Sequence, residues 1–95
     1  MNWHQIKEKY PLGAKLGGVI EFHAPFGVFV GIGESNLKGL IQIVDFLDDG
    51  IMYPSMYPPI GSKVETVIVG YTEDERNQIW LSMKPSSFAN QLSVN

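Results

Sequence analysis

The chain contains no cysteine. Disulfide staples, thiolate metal sites and a thiol nucleophile are therefore excluded. Histidine is scarce: only His4 and His23 are present, too few for a zinc site of three or four ligands without cysteine. Basic residues are also few, with seven Lys and Arg against ten Asp and Glu, for a formal charge of −3. That balance argues against a dedicated duplex-DNA binder, which is usually basic. No apolar run approaches the ~18 residues of a spanning helix. The opening MNWHQIKEKYP lacks the apolar stretch of a secretory signal. The expectation is a cytoplasmic protein with no membrane partner. Gly31–Asn36, GIGESN, matches only the first half of a dinucleotide-binding glycine motif, and no βαβ pattern follows it, so a strand end and turn is the reading. No Ser-His-Asp arrangement is supported by spacing. The sequence thus predicts no enzyme, no cofactor and no metal.

What remains is a chain of 95 residues with 44% apolar content, enough for one small core. Trp3, Ile6 and Tyr10 share one face of a short helix, which Pro11 and Gly13 end. So short a helix must dock on the domain. From Lys15 onward five strands are read: 15–23, 26–32, 39–44, 63–71 and 78–83. In the first, Leu16, Ile20 and Phe22 fall on one side. Residues 45–61 carry Pro54, Pro58 and Pro59, which cannot feed a central ladder. They form a long loop, with one helical turn near DFLDD. The MYPSMYPP portion is expected to plug a barrel end or fix the entry to the fourth strand, and also suits a partner contact. Five short strands in a small all-β chain hide their edges best by closing into a barrel. After Pro85, Ser87 is a candidate cap for a short helix carrying Phe88 and Leu92 on one face; a frayed end is the alternative. The domain boundaries read as a helical extension over 1–12, the barrel over 13–84 and a tail over 85–95.

The second strand, FGVFV, poses a problem. Phe26 and Phe29 are three apart, and strict alternation puts them on opposite faces. If Val28 and Val30 point inward, Phe29 points outward. A break at Gly27 would then bring Phe26 to the same side. The bare pattern leaves Phe29 in the core or on the surface with equal weight.

Five pieces in order carry a likeness: Gly18-x-Ile20, FGVFV over 26–30, GLIQI over 39–43, GSKV over 61–64 and QIWLSMK over 78–84. Together they resemble the S1 RNA-binding domain family, whose pattern runs G-x-V, F-G-x-F-V, G-L-V-H-I-S, G-x-x-V and R-I-x-L-S-x-K. The resemblance covers about residues 13–84 and implies a five-stranded OB-fold barrel that binds single-stranded RNA without catalysis. OB-folds bind on the face of strands 2 and 3, where bases stack on aromatic rings. Carried over, the platform is Phe26, Phe29 and the Gln42 position, with Asp74 and Gln78 beside it. Lys38 and Arg76 would steer phosphate from the loops. The family's third-strand histidine is Gln42 here, its basic residue opening the fifth strand is Gln78, and its serine after the isoleucine is Val44.

The low basicity, Gln42 in place of the histidine, an outward Trp80 and the Tyr/Pro loop motivate an alternative: a protein–protein interaction module on the same barrel. Trp80 and Val67 point outward by alternation. They are expected to be covered by the Trp3 helix or the C-terminal tail, or else to form a protein-binding patch. His23 is placed at a strand end near the groove.

Overall fold

The computed structural model describes residues 2–92. Helix α1 (Trp3–Lys9) opens with Asn2, whose Oδ1 accepts from the Gln5 amide at 2.9 Å while Gln5 Oε1 accepts from the Asn2 amide at 3.0 Å. This reciprocal pair satisfies two amides that the first turn would otherwise leave bare. Pro11 and Gly13, the latter at φ +86°, end the helix region. The predicted face docks: Ile6 and Tyr10 are buried and Trp3 meets Tyr71 edge-on at 5.8 Å.

Strands β1 (Lys15–Ala24), β2 (Gly27–Gly31), β3 (Lys38–Gln42), β4 (Lys63–Thr72) and β5 (Gln78–Ser82) close into a barrel in the order β1-β2-β3-β5-β4. Only β3 and β5 run parallel; the other pairs are antiparallel. This is the five-stranded OB-fold barrel. The two ten-residue strands each serve both halves of it. β1 pairs with β4 over residues 15–19 and with β2 over 19–24, and β4 pairs with β1 over 63–67 and with β5 over 67–72. Each bends at a register shift, β1 between Ile20 and Phe22 and β4 between Ile68 and Gly70. An extra residue at such points bends a strand and tightens its twist, as closure demands. Ile20, Val28, Val30, Ile41, Ile68, Ile79 and Leu81 fill the interior.

Several expectations are corrected. Phe22 does not join Leu16 and Ile20 inside, because Glu21 is the extra residue of the β1 bulge and turns Phe22 outward. Strand β3 stops at Gln42, and Ile43–Asp45 form a 3-10 turn. The helical turn expected near DFLDD thus begins earlier, and a second follows at Pro54–Met56. The C-terminal helix α2 (Pro85–Leu92) starts two residues before Ser87, with proline at a helix start, where its missing amide costs nothing. Its first turn is held by Asp48, which accepts from the Ser86 amide at 3.0 Å and from the Ser86 hydroxyl. The face expected for Phe88 and Leu92 depends on a Leu92 side chain outside those described.

The MYPSMYPP loop does plug a barrel end. Tyr57 is buried in the core cluster against Phe46, ring centroids 5.5 Å apart, and its hydroxyl donates to the Ala24 carbonyl at 2.9 Å. His23 belongs to this plug rather than to a groove: its Nε2 donates to the Pro58 carbonyl at 2.7 Å and its ring lies 5.2 Å from Tyr57. Val67 faces outward yet is 2% exposed, and α2 packs against β4. It is covered, not a free patch.

Glu34, from the turn after β2, clamps α1 by accepting from Lys9 at 2.8 Å and from the Tyr10 hydroxyl. These two donors hold its carboxyl below the ordinary glutamate range. The sign follows from the depressed value: the clamp is fully present above about pH 4.3 and is lost as pH falls through the lower folded value. Acidification is expected to weaken the docking of α1, seen as amide shift changes over residues 3–9 with the barrel shifts retained. Glu34→Gln should loosen α1 only slightly at neutral pH, because Ile6 and Tyr10 keep it docked.

Candidate nucleic-acid interface

The outer face of the barrel is set by register. Val28, Val30 and Ile41 point inward and are fully buried, so their neighbours Phe29 and Leu40 point outward. Cross-strand pairing then lines up one outward row: Phe22 on β1 opposite Phe29 on β2, Phe29 opposite Leu40 on β3, and Leu40 opposite Trp80 on β5. Leu40 is buried within this row although it faces out. Trp80 is half-buried, and its indole N–H donates to Thr72 Oγ1 on β4.

Phe26 reaches the same face differently from the sequence reading. It lies in the turn before β2, so alternation does not govern it. Gly27 then lets β2 approach β3 closely: a Cβ there would lie 2.2 Å from the Ile41 carbonyl oxygen. The Phe26 carbonyl accepts from the Ile43 amide at 2.8 Å, fixing the turn against the end of β3. The Phe26 and Phe29 rings meet at 5.9 Å and 89°, and the Phe29 and Phe22 rings at 6.1 Å and 50°. Phe29 is half-buried between two rings that are 54% and 57% exposed.

Gln42 sits at one end of this cluster, opposite Gly27. The other end carries charge. Lys38 Nζ is 2.7 Å from Glu21 Oε1, both about half-exposed. The Glu21 carboxylate lies across Gly31, where an added Cβ would be 2.2 Å from it. Gln78 pairs with Lys38 across β3 and β5. Asp74 and Arg76 sit in the turn leading to Gln78 and bind each other, Asp74 Oδ2 to Arg76 Nη2 at 2.8 Å. The Arg76 hydrogen bonds hold the Asp74 carboxyl below its ordinary range. Asp74 is therefore an acceptor already occupied at neutral pH, and both cations expected to steer phosphate carry a carboxylate partner.

The structure thus unites Phe26, Phe29 and Gln42 at one end, and Lys38 with Gln78 at the other, while Asp74 and Arg76 form a pair of their own. Sequence reasoning missed Phe22. Nothing local marks it, because Ile20-Glu21-Phe22 reads as in-out-in until the two-sided pairing of β1 inserts the bulge. Among the described residues, no group of three or more His, Asp or Glu is placed to hold a metal ion.

No protein-family model matches the chain. It is 35% identical over 83 residues to a 4-hydroxy-3-methylbut-2-enyl diphosphate reductase of Clostridium acetobutylicum, covering 86% of this chain and 12% of that protein. It is 32% identical over 83 residues to the small ribosomal subunit protein bS1 of Chlamydia trachomatis, covering 86% of this chain and 14% of that protein. The chain therefore spans roughly an eighth of the curated relatives it matches. Among solved structures it superposes on GSP13 from Bacillus subtilis with a TM-score of 0.67 at 20% identity, covering 90% of this chain and 62% of that one. No helix among the described residues is long and apolar enough to cross a membrane. The chain is homologous to a segment of the ribosomal protein bS1 and carries the OB-fold barrel.

Proposed function

We propose that the chain is a single-stranded RNA-binding module that acts in the cytoplasm by binding, not by catalysis. Bases stack on Phe26 and Phe29, and Gln42 hydrogen-bonds a base edge beside them. Gln78 and Asp74 offer further polar contacts at the opposite end, with Lys38 and Arg76 nearest the phosphates. The observation that carries this reading is the pair of perpendicular rings 5.9 Å apart on an outward sheet face, a surface on which any base can stack. Homology to a ribosomal protein supports the same partner.

The charge pattern sets the character of binding. A phosphate must compete with Glu21 for Lys38 and with Asp74 for Arg76. Each phosphate neutralised on a single strand contributes a slope of about −0.7 in log K against log salt. With one or two contacts the dependence is shallow.

The test is a fluorescence titration against mixed-sequence single-stranded RNA at low salt. Phe29→Ala is expected to weaken binding by ~1–3 kcal/mol, with a loss of stability below the ~3–5 kcal/mol of a buried phenylalanine. A flat titration of the wild type refutes the proposal. The second reading, a protein-docking module, is favoured by Val44 and Ile51, 68% and 70% exposed, beside a hollow that they line with Leu47 and Met52. It takes precedence if pull-downs enrich protein and the RNA titration stays flat.

A further inference from the structure

The β1 bulge turns Phe22 onto the surface to which Glu21 already points. Phe22 is 57% exposed, slightly more than Phe26 at 54%. Without the bulge, alternation would carry it to the inner side of β1, along with Ile20. Isolated exposed apolar residues are ordinary on any protein. Phe22 is not isolated, because its ring stands 6.1 Å from Phe29, almost the 5.9 Å that separates Phe29 from Phe26. Bulges re-aim side chains in this manner beside functional surfaces.

We propose that Phe22 is a third base-stacking face, so that the platform takes three consecutive nucleotides of a single strand rather than two. Phe29 is the middle ring and Phe26 and Phe22 the outer ones. The neighbouring Glu21 closes this end of the platform. Its carboxylate pairs with Lys38, so a phosphate reaching this end must compete for that cation. Selection at this end is for a base and its π face, not for charge. The proposal rests on the RNA-binding reading above.

The experiment is a titration of oligoadenylates of two to six nucleotides against wild type, Phe22→Ala, Phe22→Leu, Phe22→Tyr and Phe29→Ala. Thermal unfolding of each variant is followed in parallel. Phe22→Ala is expected to weaken binding about 5- to 150-fold for three or more nucleotides, and to leave the dinucleotide unchanged. Phe22→Leu keeps apolar bulk without a π face and should show a similar length-dependent loss, whereas Phe22→Tyr should retain wild-type affinity. If Phe22→Ala and Phe22→Leu match wild type at every length while Phe29→Ala is weakened, the third face is refuted and the two-ring platform stands. If the wild type binds no oligonucleotide, the RNA-binding reading fails and this inference with it.

Discussion

Replacing Gly27 by valine is expected to lower unfolding stability by about 3 kcal/mol, at the upper end of ordinary overpacking costs, and to weaken RNA binding in the molecules that still fold. A Cβ at this position would stand 2.2 Å from the Ile41 carbonyl oxygen, 3.0 Å from Gln42 Cα and 3.1 Å from the Ile41 carbonyl carbon. All three are backbone atoms of β3. They cannot retreat, because β3 is held on its other side by β5, with Ile41 opposite Leu81. The start of β2 must peel away instead. It takes with it the Gly27–Gln42 pairing and the Ile43 amide bond to the Phe26 carbonyl. Phe26 then leaves Phe29, and Gln42 loses its place beside the rings. Urea unfolding should show a lower midpoint with an unchanged m-value. A variant within 1 kcal/mol of wild type would mean that the strands are not held this closely.

Leu81→Ala is expected to cost about 4 kcal/mol, within the ~2–5 kcal/mol range of buried leucine truncations. Leu81 is fully buried on β5, opposite Ile41 of β3 and Ile68 of β4. One of its methyls lies 2.5 Å from where a Gly39 Cβ would be, so it fills the space that glycine leaves. The cavity cannot collapse easily, because hydrogen-bonded ladders close the wall around it. That places the cost in the upper part of the range. Leu81→Met, of nearly equal volume, should cost less than ~1.5 kcal/mol. Calorimetry or urea unfolding measures both. RNA affinity per folded molecule should not change in either variant, since the side chain lies inside the barrel and the platform outside.

Much of the fold can be read along the chain. The inward positions of β2, β3 and β5 alternate strictly, and Val28, Val30, Ile41, Ile79 and Leu81 are buried as the pattern requires. The Trp3-Ile6-Tyr10 stripe and the proline-rich plug are likewise local signals, one helical in period and the other set by proline. Strand ends were less legible. Ile43 and Val44 have strand-like side chains, yet the turn fixed to Phe26 ends β3 before them.

The site divides in the same way. The sequence by itself determined that Phe29 faces out if its two valines face in, and that the chain lacks the cations for strong charge-driven binding. Both follow from residue identity and a period of two. Only the tertiary structure decided that Phe22 joins the rings, that Leu40 and Trp80 extend the row beneath them, and that Lys38 and Arg76 already hold carboxylates. Those facts depend on β1 pairing with two different neighbours and on a bulge inserted where it passes from one to the other. Such a register shift satisfies the closure of the whole barrel, and no short window of sequence contains that constraint.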